Sequence, residues 1–489
     1  MSENSGSLRP AVKAAAASGT ASITSAFAGV VRVKLYAVFL GAAGVGVISQ
    51  VQALQNTLAV LSSLGMGIGI SREVARARGR GDEAGARAVL RTARALGLGM
   101  ALLLVAAVAL AARPLATLLL GDPSYAPLFL LAVPALIPNT LSRMLGDVLN
   151  GRRDVRANAL NGIVTSLLGI AILPILLWRL GVAGAALSLS ISALASWVVI
   201  ALLLNRRHPD LRGAGLAVDP PVARTLLGIG AASLSLAAID QIIVLVMRSR
   251  LIAQVGVHGN GLFQGVWGLS QYSLNIAVAF LTTYAFARVQ ESRDPAELRR
   301  ETNQALRTTL LMMAPLTAGL VLGRTLLIQV FLSREFAPAA PLFAWQASGD
   351  LIRAAGGATG VGLLAVASPG VWIVVGLCGS LSFIGIFLLL VARTGILAGS
   401  QAWMLSGVIY LGVTCVVMRR RAGLRFDARL RLLALSSAVL LGAMILVADG
   451  SVGSYVWGGA LLLAWGATAV RPAELRGAWT RARGRIRRR

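Results

Sequence analysis

Stretches of about twenty apolar residues recur along the whole chain, and the arginines fall almost entirely between them. A helix needs ~20 such residues to cross the hydrocarbon core. Lipid offers no partner for an unpaired backbone group, so stretches of this kind can span only as helices. Mean hydropathy is +0.76 over 489 residues, and charged residues make up 13%, against roughly a quarter in ordinary globular domains. A net charge of +27 in a soluble chain would point to nucleic acid. Here the charge lies beside apolar stretches, so it reads as membrane orientation, with no nucleic-acid partner.

Fourteen candidate spans can be marked, at about 15–37, 45–70, 95–112, 126–148, 159–178, 184–204, 224–247, 261–286, 308–331, 341–366, 371–391, 398–418, 431–448 and 454–470. With the N-terminus in the cytoplasm, the cytoplasmic connections and the C-terminal tail hold 33 Arg. The opposite connections hold six: Arg113, Arg179, Arg248, Arg250, Arg334 and Arg393. That asymmetry is the positive-inside pattern, and it places both termini in the cytoplasm. The N-terminal residues carry no cleavable signal pattern, so the first span is expected to be retained.

No connection is long enough for a soluble domain. The segment 206–223, rich in Pro and Gly, separates an N-lobe of spans 1–6 (1–205) from a C-lobe of spans 7–12 (224–418). A second basic linker leads into spans 13 and 14 (419–470), and a basic tail follows (471–489). The halves share little sequence, so the idea of two repeated bundles rests on span counting alone. The expected fold class is an all-α integral membrane protein. The tail could hold anionic lipid headgroups at ~1 kcal/mol per basic residue, or serve only as a topology anchor.

Few motifs of catalysis are present. Cys378 and Cys415 lie inside apolar spans and read as core residues. His208 and His258 have no ligand partners at metal spacing, and no Walker loop, HExxH or CxxC pair occurs. GMGIG at 65–69 sits inside a span and reads as helix packing. No metal, no cofactor and no enzymatic activity are expected.

Ionisable groups inside spans are costly and tend to face a cavity or a partner. Arg143 with Asp147 and Asp350 with Arg353 have helix-neighbour spacing, at which opposite charges can simply neutralise each other. Arg32, Lys34, Arg248, Arg250 and Arg324 form an excess of cations toward the outer side, with Asp240 among them. They either snorkel to the interface or line a cavity for an anionic headgroup, since Arg and Lys are the natural partners of phosphate. Gln52, Gln55 and Asn56 in SQVQALQN fall largely on one helical face, suited to sugar hydroxyls or to helix–helix bonding.

At these segments the chain resembles Wzx-type polysaccharide flippases, of the multidrug/oligosaccharidyl-lipid/polysaccharide exporter superfamily. VKLYAVFLGAAGVGVISQVQALQN (33–56), with GISREVA (69–75), is similar to their first two helices. GLFQGVWGLSQ (261–271) and SREFAPAAPLFAWQASGDLIRAAG (333–356) are similar to blocks of the O-antigen and enterobacterial common antigen translocases. The resemblance implies two six-helix lobes in a V around a central cavity, with spans 13 and 14 as an addition that the twelve-helix members lack. It implies a substrate of undecaprenyl-diphosphate-linked oligosaccharide, moved from the cytoplasmic to the periplasmic leaflet of the bacterial inner membrane. Lys34, Gln52 and Asn56 match the first block, Gln264 and Trp267 the second, and Trp345, Gln346 and Asp350 the third.

The expected substrate site is thus Arg32, Lys34, Gln52, Asn56, Arg248, Arg250, Gln264, Trp267, Arg324 and Arg353. Asp240 and Asp350 are candidates for coupling to a proton or sodium ion. A drug/cation antiporter of the same superfamily would want an acidic cavity. A lipid II flippase fits the helix count but not the blocks. A polysaccharide polymerase or ligase would want a large outer loop, and a structural scaffold would not need buried lone charges.

Overall fold

The computed structural model describes residues 8–292 and 294–469, except the side chains of 8–19, 21–23, 232, 236, 364 and 369. The basic tail expected over 471–489 lies outside the described residues. Among the described residues there are helices and turns and no strand. The sixteen α-helices are α1 (Leu8–Ser62), α2 (Gly67–Arg80), α3 (Glu83–Leu110), α4 (Ala112–Leu120), α5 (Ala126–Ala132), α6 (Leu136–Gly151), α7 (Val155–Arg207), α8 (Pro220–Phe280), α9 (Phe286–Gln290), α10 (Pro295–Leu322), α11 (Arg324–Phe331), α12 (Leu342–Val366), α13 (Pro369–Thr394), α14 (Leu397–Ala422), α15 (Ala428–Val447) and α16 (Val452–Ala469).

Among the described residues eight helices are long and apolar enough to cross a membrane, or nine with the bent run Pro220–Gln290 counted as one span. The chain is therefore a multi-pass membrane protein. These nine hold twelve of the fourteen expected spans, because three of them hold two spans each, and the expected spans 341–366 and 454–470 fall on α12 and α16. A straight α7 of 53 residues would be ~80 Å long, against a hydrocarbon core of ~30 Å. It does not run straight. At Gly181 (φ 54, ψ −128) it doubles back, so Asn161 Nδ2 can donate to Ser196 Oγ at 3.2 Å across 35 residues of sequence. Gly41 (φ 63, ψ −172) breaks α1 and Gly256 (φ 72, ψ 174) breaks α8 in the same way. These dihedrals lie in a region open essentially to glycine. One glycine thus makes the turn inside each of the expected connections 38–44, 179–183 and 248–260.

One expected boundary moves. The second span, expected to reach residue 70, ends at Ser62, where Leu64 (φ 50) and Gly65 (φ 66) turn the chain into α2.

The order of elements in 8–207 recurs in 220–422. Both α3 and α10 are 28 residues long, and both start at an aspartate cap, Asp82 accepting from the Gly85 N–H and Asp294 from the Glu297 N–H. Short helices α4 and α11 follow. Each leads through a 3-10 turn into the tetrapeptide Ala-Pro-Leu-Phe, at 126–129 and 340–343, and both phenylalanines, Phe129 and Phe343, are 1% exposed. The two arms of α7 about Gly181 correspond to α13 and α14 about Gly395 (φ 55, ψ −122). Helices α15 and α16 come after the repeated pattern.

By internal packing the chain forms two compact units, residues 1–265 with 331–335 and residues 266–330 with 336–489. The first has a core around Met66, Leu90, Met144, Leu145 and Leu149, where α2, α3 and α6 meet. The second is built around Met313, Ala318, Ala358, Met418 and Met444 of α10, α12, α14 and α15.

Candidate functional site

Within the first unit the two arms of α1 bring Arg32 to Gln52, Gln55 and Asn56. Together with Asn139 of α6 and Thr165, Ser166, Ser192 and Ser196 of α7 they line a cavity of about 400 Å³. Arg32 carries the single charge among these described lining residues. Small residues make the room: a side chain at Gly169 would come within 3.3 Å of the Arg32 guanidinium. Gln55 is partly committed, since its Nε2 donates to the Ala132 carbonyl. Ser196 hydroxyl pairs with Ser142 at 2.8 Å. The result is a hydrogen-bonding, net-cationic chamber inside an apolar bundle.

The other expected cations lie elsewhere. Lys34 Nζ donates to the Leu332 carbonyl. Arg248 is buried, with Nη1 donating to the Ser49 carbonyl at 2.8 Å and its Nε unpartnered. It belongs to a polar seam, in which Asn260 Nδ2 donates to the Gly46 carbonyl at 2.8 Å and Gln50 Nε2 to the Leu245 carbonyl at 3.3 Å. The seam is tight because Gly46 and Gly261 let the backbones touch. A Cβ on Gly46 would lie 1.8 Å from the Val257 oxygen, and one on Gly261 1.7 Å from the Ala42 oxygen. Arg250 is exposed beside an apolar hollow of about 330 Å³ formed by Leu54, Leu118 and Leu245. Gln264 Oε1 is buried without a hydrogen-bond partner. Asp240 is exposed on α8. Arg143 and Asp147 line a separate hollow of about 460 Å³ with Asn150, Asn158 and Ser233.

In the second unit Asp350 is 0% exposed. Its carboxylate accepts from Ser270 Oγ, from Ser273 Oγ at 3.5 Å and from Trp403 Nε1 at 2.9 Å. Gln346 Nε2 donates to Ser270 Oγ at 3.2 Å. Arg353 lies over the Trp403 ring, 3.6 Å from its centroid, and donates to Ser406 Oγ at 2.6 Å. Trp267 stands edge-on to Trp403 at 4.7 Å, with Phe383 beside both. The glycines of α12 allow this: Gly349 faces Trp403 so closely that a Cβ would sit 2.5 Å from the ring. Trp345 is 36% exposed. Arg324 donates to the Ala448 carbonyl, which closes the C-terminus of α15, where the helix dipole favours a cation.

The structure therefore joins Arg32, Gln52 and Asn56 in one chamber, and joins Trp267, Gln346, Asp350 and Arg353 in one cluster. Lys34, Arg248, Arg250, Gln264 and Arg324 have separate surroundings. Asn139, Ser192, Ser196, Ser270 and Trp403 are additions that the sequence reading missed. Ser188, Ser192 and Ser196, four apart in SLSISALAS, were the available signal for a polar face. Among the described residues no group of three or more His, Cys, Asp and Glu side chains is placed to hold a metal ion, and Cys378 and Cys415 are free.

Residues 11–215 match the family described as polysaccharide biosynthesis protein. The chain is 27% identical over 399 residues to the lipid III flippase of Escherichia coli (strain K12), covering 81% of this chain and 95% of that one. Its fold matches a lipid II flippase MurJ in an inward closed conformation, with TM-score 0.73, 14% identity and coverage of 93% of this chain and 98% of that one. It also matches an inward-facing multidrug resistance MATE family transporter of the MOP superfamily, with TM-score 0.68, 16% identity and coverage of 85% and 95%. The fold of this chain is therefore that of the MATE and MurJ membrane transporters, all-helical and multi-pass.

Proposed function

We propose that this protein is a flippase that moves an undecaprenyl-diphosphate-linked oligosaccharide, an O-antigen or related repeat unit, from the cytoplasmic to the periplasmic leaflet of a bacterial inner membrane. The carrying observation is the chamber of about 400 Å³ with Arg32 as the one charge among its described lining residues and amides and hydroxyls around it. A charged, sugared headgroup cannot cross hydrocarbon unaided, so a polar cavity must replace its water. A guanidinium suits diphosphate, and amides and hydroxyls suit sugar. The match to the polysaccharide biosynthesis protein family and the likeness to a lipid III flippase support the same substrate class. The arginine distribution supports cytoplasmic termini.

Outward movement of a diphosphate is favoured by an inside-negative potential, by ~2.3 kcal/mol per charge per 100 mV. Return of the empty carrier is then the step that a coupling ion assists. Asp350, buried among three donors, is the candidate for a proton or sodium ion ahead of the exposed Asp240. A lipid II flippase is the second reading, favoured by the MurJ-like fold. A cationic-drug antiporter is disfavoured because the chamber holds a guanidinium where a carboxylate would be wanted. No catalytic step is assigned.

Binding tests this reading. Purified protein in nanodiscs should bind undecaprenyl diphosphate oligosaccharide about ten-fold more tightly than Arg32→Gln, a charge-assisted contact being worth ~1.5–3 kcal/mol. Equal affinity for both proteins would remove the chamber from substrate recognition.

A further inference from the structure

Two cavities of the first unit follow one another along the same three helices. Asn56 of α1, Asn139 of α6 and Thr165 of α7 line the chamber that holds Arg32. Val60, four residues on from Asn56, Arg143, four on from Asn139, and Asn158, seven back from Thr165, line the hollow of about 460 Å³. Steps of four and seven stay on one helical face, so the hollow lies one to two turns, ~6–10 Å, further along the faces that line the chamber. Asn161 stands between the two on α7. Its Nδ2 donates to Ser196 Oγ of the chamber at 3.2 Å, and its Oδ1 is buried with no hydrogen-bond partner among the described residues. The hollow is at the arginine-rich end of these helices: Gly67 at the start of α2 lines it, Arg72, Arg76, Arg78 and Arg80 follow on α2, and Arg152 and Arg153 follow α6.

Arg143 and Asp147 have the spacing of a self-neutralising pair, yet they act on each other without contact. Among the described residues the Arg143 side chain makes no ion pair and no hydrogen bond. Asp147 lies instead against the start of α2. A Cβ on Gly67, the first residue of that helix, would be 2.9 Å from Asp147 Oδ2, and no side chain caps that helix end. The positive end of the α2 dipole answers the carboxylate, and the exposed guanidinium of Arg143 is left to the hollow. We propose that this hollow is a loading station, where Arg143 takes a phosphate of the lipid-linked headgroup at the cytoplasmic level before the headgroup moves along the shared helix faces to Arg32. The inference rests on the flippase reading above. A guanidinium pairs with phosphate, and Asp147 and Asn150 beside it suit sugar hydroxyls. Two stations of one cation each let a headgroup advance by exchange, where a single deep site would trap it.

Full-length protein in phosphatidylcholine liposomes is given a fluorescent undecaprenyl-diphosphate oligosaccharide, and the translocation rate is followed against the density of that lipid. In R143Q the rate at low density should fall about ten-fold, because loading lacks one charge-assisted contact. The rate at saturating density, set by later steps, should stay at the wild-type value, as should the unfolding temperature, and R143K should recover most of the loss. A wild-type rate at low density in R143Q overturns the station and leaves the flippase reading standing, whereas no translocation by wild type overturns both. A fall confined to the saturated rate also overturns the station, since it would place Arg143 in a later step. So does added phosphatidylglycerol that slows wild type but not R143Q, which would give the hollow to bulk phospholipid. Should R143Q fail to fold, Ala237→Trp, at an exposed position of α8 on the wall of the hollow, fills the space and spares Arg143. It should lower the rate at low density in the same way, and an unchanged rate there overturns the proposal.

Discussion

Trp403 donates its indole N–H to the Asp350 carboxylate at 2.9 Å while the face of the same ring carries the Arg353 guanidinium at 3.6 Å. One side chain therefore holds both a buried carboxylate and a part-buried guanidinium that sit three residues apart on α12. The carboxylate takes its hydrogen bonds from Ser270, Ser273 and Trp403, and the guanidinium sits on an aromatic surface. A charge held this way is oriented, and changing its protonation would alter what Trp403 and Ser270 hold. That is the property a coupling site needs.

Asp350→Asn keeps the shape but not the charge. The expected outcome is a folded protein whose transport in proteoliposomes no longer responds to an imposed ion gradient, while lipid-linked substrate still equilibrates slowly. A variant that responds to a pH or sodium gradient as wild type does would take coupling away from Asp350.

Gly349→Ala tests the support of the same cluster. The added methyl would meet the Trp403 ring at 2.5 Å, and overpacking of this kind costs ~1–3 kcal/mol. Thermal unfolding in detergent should fall, and tryptophan fluorescence should report a displaced indole. Gly360→Ala is the control, since its nearest neighbour is the far end of a side chain, the Tyr410 hydroxyl at 3.2 Å.

Arg32 and Arg248 should behave differently. Arg248 is buried in the seam with Ser49 and Asn260, so Arg248→Ala vacates a packed site and should lower the unfolding temperature. Arg32 lines an open chamber, so Arg32→Ala should leave that temperature near wild type and weaken substrate binding. A variant Arg32→Ala that unfolds as readily as Arg248→Ala would mark Arg32 as structural.

Three exposed capping carboxylates give a pH dependence of known sign. The Ser124 N–H holds Asp122 below the usual carboxylate range, the Glu297 N–H does so for Asp294, and the Ser451 hydroxyl for Asp449. A depressed folded value means stability that is present above the unfolded value of about 3.9 and is lost as pH falls through the folded one. Unfolding temperature should therefore be flat with respect to these groups from pH 8 to about 5 and drop below about 4. Asp294→Asn should shrink that drop.

Much of the fold was legible because twenty apolar residues admit one backbone solution in lipid. The breaks between spans were legible too, to within a few residues, but not that a single glycine makes each turn. With 54 glycines in the chain, nothing in the sequence singles out Gly41, Gly181, Gly256 and Gly395 as the turning residues. The recurrence of elements was hidden for a similar reason. Helix lengths, caps and turn positions repeat, while most side chains, facing lipid, are free to drift among apolar types. Of the site, the lone charges were visible and their partners were not. Asp350 and Arg353 have the spacing of a self-neutralising pair, and nothing in the sequence shows that Trp403, about fifty residues on, engages them both. Ser192 and Ser196 are hard to single out, because hydroxyls in membrane helices commonly satisfy themselves on their own backbone.

Translocation separates a lipid-linked oligosaccharide flippase from a drug antiporter. Wild-type protein in liposomes carrying a fluorescent undecaprenyl-diphosphate oligosaccharide should make the inner-leaflet fraction accessible to an external sugar-modifying reagent, with a rate that falls about ten-fold in Arg32→Gln. Protein-free liposomes should not. A wild-type rate equal to that of empty liposomes, with uptake of a cationic dye in its place, would rule out the flippase reading and favour a drug antiporter.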